Sequence, residues 1–324
     1  MTKHRFRVLA ASTAVLALLG AACGDDDDTA TTDDTEADAD QGGEGGGGAT
    51  FEFIPLDVGG PNTKAALEKG DIDIAVLFSS DGAIAANDWV ALEDDKDLQP
   101  VDNFVPAVNT EAATPEVTAV LDAVSAALTV EAMQEMVAAV SIDGENPADV
   151  ATEFLADVDV PSGVSGDLTV GSANFAESEV TAEIYAQALE SAGGTIEKKL
   201  QFGARETYIP ALSSGELDVV PEFVGTLAYY FDENAEVTSD LDESVELARG
   251  LAAAEGLTLL APGAAASINT FVVTQETAEE HGLATVSDLA GVDEALVLGG
   301  PPECPSRPPC LLGLIEVYGL QFDV

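Results

Sequence analysis

Residues 66–74, ALEKGDIDI, and residues 211–219, ALSSGELDV, decide the fold. Each copy has the pattern of a helix end, then a glycine, then an alternating run typical of a strand. Glycine suits the turn because it adopts the left-handed backbone that ends many helices. The repeated unit predicts two similar lobes with a cleft between them for a small ligand.

Short apolar runs alternate with helical patterns along the rest of the chain. Asn146 and Pro147 are typical of a helix N-terminus, as the cap and the first helical residue. A polar linker at residues 161–166 separates two such series of elements. This alternation indicates an α/β fold built from open sheets. The predicted strands include Phe51–Leu56, Ile72–Phe78, Trp89–Leu92, Phe104–Val108, Leu168–Val170, Ile196–Phe202, Leu217–Val220, Phe271–Thr274 and Ala295–Leu298.

The composition is strongly acidic, with 60 acidic against 11 basic residues and a formal net charge of -49. Such a surface repels nucleic acids and anionic lipid headgroups, so we expect neither as a partner. A solvated acidic surface is the simplest interpretation, and salty surroundings would screen its self-repulsion. With 46% hydrophobic residues, the chain is nonetheless able to bury a substantial core.

Residues 1–23 have the layout of a secretory signal, with a basic start, an apolar run at Val8–Leu19 and small residues before Cys23. The apolar run is too short to span a bilayer stably. Residues 19–23, LGAAC, resemble a bacterial lipobox, which implies that Cys23 is lipidated and anchors the mature chain. The alternative is a plain signal peptide with an incidental cysteine.

Residues 24–50 form an acidic and glycine-rich segment with almost nothing to bury. Like charges and glycine predict a disordered, extended tether between an anchor and a folded domain. An unstructured acidic run offers no cage for calcium, so we expect no metal site there.

No persuasive catalytic set is present in the sequence. The two histidines are His4, in the leader, and His281, which has the surroundings of an exposed helix end. There is no zinc-type cluster, no phosphate-binding loop and no nucleophile elbow. Acid–base catalysis by a carboxylate pair stays open because acids are everywhere, but we predict a binding protein without a cofactor or metal and not an enzyme.

Several motifs together resemble glycine betaine/choline-type (osmoprotectant) ABC transporter binding proteins. The resemblance covers nearly all of residues 51–324 and implies a two-lobed periplasmic-binding-protein type II fold with a ligand cleft between the lobes. Its motifs are GSANFAES at residues 171–178, PEFVGT at 221–226, NTF at 269–271, residues 299–320, LDVGGPNT at 56–63, LFSSDGAI at 77–84 and LEDDK at 92–96.

The two halves stand in the reverse of the family's order. The chain is therefore a circular permutant, a truncated tandem pair or an incomplete gene product. We favour the permutant, because domain termini that lie close together tolerate permutation. In that case residues 87–273 form a continuous lobe, and residues 51–86 and 274–324 together form a discontinuous one.

The resemblance also implies an aromatic cage for a quaternary ammonium group, which is attracted to aromatic faces. Carried over by position, the cage falls on Phe78, Phe223, Phe271 and Asp102. Ordinary core packing is the alternative for the three phenylalanines. The implied polar partners are Asn174, Ser178, Thr226 and Asn269.

Cys304 and Cys310 flank a proline-rich loop, PSRPP at residues 305–309. Outside the cytoplasm we expect them to form a disulfide; two free thiols or a partial metal site are the alternatives.

The predicted protein is the extracytoplasmic receptor of an ABC importer. It would be lipid-anchored to the outer face of the bacterial cell membrane, monomeric, and would pass an osmolyte to a membrane permease. A different solute, a sensory role and a gene fragment stay open.

Overall fold

The computed structural model describes residues 50–57 and 59–323. The predicted leader, Cys23 and the tether up to residue 49 lie outside the described residues. The strands are β1 (Thr50–Pro55), β2 (Ile74–Phe78), β3 (Val90–Ala91), β4 (Phe104–Asn109), β5 (Asp167–Ala173), β6 (Thr195–Gly203), β7 (Val219–Phe223), β8 (Leu257–Leu259), β9 (Asn269–Val273), β10 (Val297–Gly300) and β11 (Gln321–Asp323).

The helices pack on both sheets. They are α1 (Pro61–Lys69), α2 (Gly82–Ala86), α3 (Pro115–Ala127), α4 (Val130–Ser141), α5 (Pro147–Leu155), α6 (Ala176–Ser191), α7 (Arg205–Ser213), α8 (Val224–Phe231), α9 (Leu241–Ala254), α10 (Gln275–His281) and α11 (Gly313–Glu316), with short helical turns at Val286–Gly291, Cys304–Ser306 and Pro308–Leu312.

The first lobe is built on a sheet whose strand order, among the described residues, is β11-β1-β10-β2-β9-β3. Strand β1 runs parallel to β10 and β11, and β2 runs antiparallel to β9. Its core holds Phe51, Ile74, Phe271 and Leu298, which are almost fully buried. Branched and aromatic side chains of this kind suit the buried faces of a sheet.

The second lobe is built on a sheet with the order β6-β5-β7-β4-β8. Strand β5 runs parallel to β6 and β7, whereas β4 runs antiparallel to β7 and β8. Helix α6 packs into the core beside this sheet, with Ile184, Tyr185 and Leu189 fully buried. Two sheets with separate cores confirm the predicted two-lobed α/β fold.

The chain passes between the lobes twice. One crossing follows β3 at Pro100–Asn103, and the other precedes β9 at Ala264–Ile268. The two crossings touch each other, through a bridge between Asn103 and Ala266. Because β3 and β9 pair within the first sheet, they lie outside the continuous lobe to which the predicted boundaries of 87 and 273 assigned them.

The repeated pattern has the same structure in both copies. Gly70 and Gly215 have φ of 73° and 76°, so each ends its helix in the left-handed region. The aspartate three residues after each glycine has the same role. Asp73 accepts a hydrogen bond from the Val297 amide at 2.8 Å, and Asp218 accepts one from the Thr169 amide at 2.7 Å. Each carboxylate ties its turn to a neighbouring strand of its own lobe.

Local signals set several helix boundaries. The Asn146 side chain accepts a hydrogen bond from the Ala148 amide at 2.9 Å, and Pro147 is the first helical residue of α5, as predicted. Helix α9 also has a capping residue at its N-terminus, Asp240, which was not used in the predictions. In the described part of the chain, no single helix is long and apolar enough to cross a membrane, although the bent pair α3 and α4 passes by length and composition.

Candidate functional site

A cavity of about 160 Å³ lies between the two lobes, where the chain crosses from one sheet to the other. Both crossings line it. The second lobe adds the start of α8, and the first lobe adds the end of β2 and the loop before α11. A solute bound here would contact both lobes at once, as a hinge closure requires. The lining residues are Phe78, Gln99, Pro100, Val101, Asp102, Gly225, Thr226, Tyr229, Ser267, Ile268, Asn269 and Pro309.

Two aromatic rings line the cavity from opposite lobes. Phe78 ends β2 and is 37% exposed, and Tyr229 on α8 is 44% exposed. Large aromatic side chains that stay this accessible in a cleft are available to a ligand. Tyr229 is not among the residues predicted from the sequence. Its spacing of three residues from Thr226, one turn along α8, is the signal that would have found it.

Asp102 is the carboxylate of the cavity. It accepts hydrogen bonds from the amide of Thr226 at 2.8 Å and from its hydroxyl. Burial raises the pKa of Asp102 from its ordinary value of 3.8 to about 6, against the lowering effect of the Thr226 hydrogen bonds, and the nearby charge of Glu222 adds to the increase. Above that pH the cavity carries a negative charge.

A buried ion pair lies behind Asp102. Glu222 is fully buried and accepts hydrogen bonds from the Nε and Nη2 atoms of Arg205, both at 2.9 Å, and from the Tyr208 hydroxyl at 2.7 Å. Burial alone would lower the pKa of Arg205, but these contacts with Glu222 raise it. The bidentate geometry fixes both side chains and satisfies their charges.

The loop closed by Cys304 and Cys310 forms one wall of the cavity. The structure places their sulfurs in a disulfide, 1.95 Å apart. Within this loop, the Pro309 carbonyl accepts hydrogen bonds from the side-chain amides of Gln99 at 3.1 Å and Asn269 at 3.4 Å. These bonds connect the loop to Gln99 and Asn269, which each lie next to one of the two crossings.

Direct contacts join the lobes beside the cavity. The Ser80 hydroxyl of the first lobe lies 3.0 Å from the Glu177 carboxylate at the start of α6. The Gln134 side chain on α4 donates to the Ser79 carbonyl at 2.7 Å. Gly82 packs so closely that an added Cβ would lie 2.3 Å from the Ala138 nitrogen. These contacts fix the width of the cleft in this structure.

Four predicted ligand residues come together in the cavity, namely Phe78, Asp102, Thr226 and Asn269. Phe223 and Phe271 do not line it. Phe223 is 8% exposed and packs against the ring of Phe104, with 4.5 Å between centroids. Phe271 is 2% exposed in the first-lobe core.

The two remaining predicted residues lie at the end of β5. The Ser178 hydroxyl is buried and accepts a hydrogen bond from the Ala173 amide at 2.9 Å, so it secures the turn into α6. Asn174 is exposed within that turn. Neither contributes to the cavity lining. Among the described residues, no group of three or more His, Cys, Asp or Glu side chains is placed to hold a metal ion.

Comparison with known proteins places this geometry in context. The family described as the substrate binding domain of the ABC-type glycine betaine transport system matches residues 55–157 and 166–324. The glycine betaine-binding protein YehZ of Escherichia coli is 33% identical over 139 residues, which are 42% of this chain and 46% of the relative.

A glycine-betaine-binding protein of Pseudomonas aeruginosa is 29% identical over 164 residues, which are 48% of this chain and 52% of the relative. The chain therefore spans about half the length of the curated relatives it matches.

Solved structures resemble the chain more weakly. NikA from Brucella suis in complex with Fe(III)-EDTA gives a TM-score of 0.35 at 15% identity, covering 67% of this chain and 56% of its own. Apo YehZ from Escherichia coli gives a TM-score of 0.27 at 14% identity, covering 81% of this chain and 80% of its own.

Proposed function

The chain belongs to the family of substrate-binding domains of ABC-type glycine betaine transport systems, and on that basis we propose that it is the extracytoplasmic solute receptor of an ABC importer. It binds glycine betaine, choline or a related osmolyte and passes the solute to a membrane permease. The family is one of binding proteins, so the reaction is capture and release without covalent chemistry. The two sheets and the cleft between them agree with the type II periplasmic-binding-protein fold.

The observation that carries the proposal is the composition of the interlobe cavity. Phe78 and Tyr229 present aromatic rings from opposite lobes, and Asp102 supplies a carboxylate to the same cavity. Aromatic faces attract a quaternary ammonium group because the ring quadrupole is negative at its face. A neighbouring carboxylate adds direct charge attraction. Of the predicted cage, Phe78 and Asp102 therefore carry the ligand role, and Tyr229 joins them.

The two matched segments are proposed to form one binding domain. The described residues, 50–57 and 59–323, belong to a single compact unit, and strands from both segments alternate in the first sheet. The described ends also meet, because β11 pairs with β1. This arrangement supports the permuted order inferred from the motifs.

The remaining features complete the proposed receptor. The lipobox-like residues before Cys23 and the acidic tether support an anchored, extracytoplasmic domain. The contacts of Ser80 with Glu177, and of Gln134 with the Ser79 carbonyl, are the proposed closure contacts. The receptor acts as a monomer.

Calorimetric titration of the purified protein with glycine betaine, choline and proline betaine tests the function. We expect saturable binding of at least one of them. A Tyr229→Ala variant should bind the same solutes several-fold more weakly, because a cation–π contact contributes about 0.5–2 kcal/mol. The matched control is Tyr230→Ala, since Tyr230 is 37% exposed on the same helix but does not line the cavity. A cooperatively folded protein that binds none of the three solutes would contradict the proposal.

A further inference from the structure

We propose that the cavity selects a solute with a net positive charge, of the quaternary ammonium alcohol class, over zwitterionic betaines. The inference rests on the proposed function, because it assigns a substrate class to the same cavity. It follows from the charges and hydrogen-bond donors that line the cavity.

The charged side chain of the cavity lining is acidic. Among the lining residues that the structure describes, Asp102 is the acid, and neither lysine nor arginine is present. A quaternary ammonium group finds both an anion and aromatic faces here. The carboxylate of a betaine would find Asp102 instead of a cationic partner, and like charges in a partly buried site repel.

Arg205, a basic side chain that interacts with Asp102, is already paired with another carboxylate. Arg205 interacts electrostatically with Asp102, but both of its contacting nitrogens lie 2.9 Å from the Glu222 carboxylate. The three groups together carry one net negative charge once Asp102 is ionised. A bidentate, buried pair does not release its arginine to a ligand without leaving Glu222 unpaired, which is costly.

The side-chain donors of the lining are also largely engaged. The Thr226 hydroxyl donates to Asp102, and the side-chain amides of Gln99 and Asn269 donate to the Pro309 carbonyl. Ser267 and Tyr229, which also line the cavity, carry neutral hydroxyls, and that of Ser267 accepts a hydrogen bond from the Ser80 hydroxyl at 3.0 Å. They suit the hydroxyl of an alcohol, whereas a ligand carboxylate buried here needs charged or multiple donors to replace its water.

The net charge of the chain acts in the same direction. At -49, the protein raises the local concentration of cations at its surface and steers them toward a negative cleft. A zwitterion has no net charge and gains nothing from this long-range field.

A ligand series on the unmodified protein tests the inference without depending on a variant. The probes are choline, glycine betaine and 3,3-dimethylbutan-1-ol, the uncharged isostere of choline, titrated calorimetrically at pH 7.5 and constant ionic strength. We expect choline to bind at least about tenfold more tightly than glycine betaine, and the neutral alcohol to bind most weakly.

The outcomes separate the inference from the proposed function. Equal or tighter binding of glycine betaine overturns the charge selection and leaves the receptor function standing. Binding of the neutral alcohol as tight as that of choline also overturns it, since charge would then contribute nothing. Absence of binding for all three probes overturns the inference, and the proposed function falls with it only if proline betaine does not bind either.

An Asp102→Asn variant then assigns the selectivity to this residue. We expect the choline-to-betaine affinity ratio to fall toward one, with choline binding weakened and betaine binding little changed. Glu246→Gln is the matched control, because it makes the same change in net charge at an exposed position on α9, and its ratio should equal that of the unmodified protein. An unchanged ratio in a cooperatively melting Asp102→Asn protein overturns the assignment.

Discussion

Phe78 and Phe271 are two phenylalanines that the sequence places in equivalent roles and the structure separates. Both lie on the paired strands β2 and β9, where Phe271 is opposite Val76 and Phe78 is opposite Asn269. Phe78 is 37% exposed at the cavity, whereas Phe271 is 2% exposed in the core. Because one ring is exposed and the other buried, truncation of Phe78 should mainly affect ligand binding and truncation of Phe271 should mainly affect stability.

Phe78→Ala should weaken binding of a quaternary ammonium solute by about 3- to 30-fold, the equivalent of a lost cation–π contact. Its effect on stability should be small, because a partly exposed side chain loses little packing. Phe271→Ala should instead lower the free energy of unfolding by about 3–5 kcal/mol. Calorimetric affinities and urea unfolding of both variants give the comparison, and equal effects on affinity would contradict the separation of roles.

Asp102 makes the stability of the ligand-free protein depend on pH. Its folded pKa of about 6 lies above its ordinary value of 3.8, so between these values the folded state holds a proton that the unfolded state has lost. Retention of this proton by Asp102 therefore stabilises the folded state at low pH, and the stabilisation is lost as the pH rises through 6.

We expect the unmodified protein to lose about 1 kcal/mol relative to Asp102→Asn between pH 5 and 7.5. Denaturant unfolding of both proteins across this range measures the difference and cancels the titration of the other carboxylates. A difference that stays constant, or that grows in favour of the unmodified protein, would contradict the raised pKa.

The cavity residues found from sequence were those next to an ordered local motif. Phe78 ends a strand, and Thr226 lies in the first turn of α8, at the end of the motif that contains Glu222. Pro309 and Gln99 could not be predicted, because their place in the cavity depends on a hydrogen bond between residues 210 positions apart. Tertiary contacts of that separation leave no periodic pattern in the sequence.

At the scale of secondary structure elements, α2 of the first lobe packs closely against α4 of the second. Gly82 is the residue that permits it, since a Cβ there would lie 2.3 Å from the nitrogen and 2.6 Å from the Cα of Ala138. Backbone atoms cannot rotate away as a side-chain end does. A methyl group at Gly82 must therefore shift one lobe against the other.

Gly82→Ala should destabilise the protein by about 1–3 kcal/mol and weaken solute binding, because both depend on the same interlobe geometry. Gly250→Ala is the control, since Gly250 lies within α9 and a Cβ there meets nothing within 4 Å. That variant should be neutral or gain up to about 1 kcal/mol from helix propensity. Thermal melts and solute titrations of both variants measure these effects. A Gly82→Ala protein with unchanged stability and affinity would show that the α2–α4 contact accommodates a methyl group without a shift of the lobes.

The disulfide loop is, with the end of β2, an element that the first lobe contributes to the cavity wall. The cysteines are six positions apart, and closing so short a loop contributes about 2 kcal/mol in the chain-entropy description. Release of the loop also frees the Pro309 carbonyl that orients Gln99 and Asn269.

A Cys304→Ser/Cys310→Ser double variant should lose about 2 kcal/mol of stability and bind solute more weakly, as should the unmodified protein under a reducing agent. The double variant itself should not respond to the reducing agent. Equal affinity before and after reduction would show that the wall is held without the disulfide.

The repeated helix–glycine–strand pattern was predictable because all its determinants are local. Gly70 and Gly215 adopt the left-handed backbone conformation, and the aspartate three residues after each glycine accepts a hydrogen bond from a neighbouring strand. The lobe boundaries were not predictable in this way. They depend on β9 pairing with β2 and β3 across long separations in sequence.

At the scale of the whole molecule, the two matched segments are interleaved. In the first sheet, every pair of neighbouring strands joins one strand from before the linker at residues 161–166 to one from after it. In the second sheet, β4 from the first segment lies between β7 and β8 from the second. Neither segment alone contains the hydrogen-bonding partners of its own first-lobe strands.

This interleaving predicts that the two segments behave as one cooperative unit even when the chain is cut. A protease site inserted between Pro161 and Ser162, both exposed in the linker, should be tolerated because insertions succeed at exposed loops. After cleavage, the two segments should elute together in gel filtration under native conditions, melt in a single transition and separate only in denaturant. The cut leaves every hydrogen-bonded strand pair of the first sheet intact. Separation of the segments would expose the unpaired edges of these strands, which is costly, and so the segments stay together. Native separation of the segments, or a cooperative melt of either one alone, would mean that each folds independently and that the chain holds two partial domains instead of one.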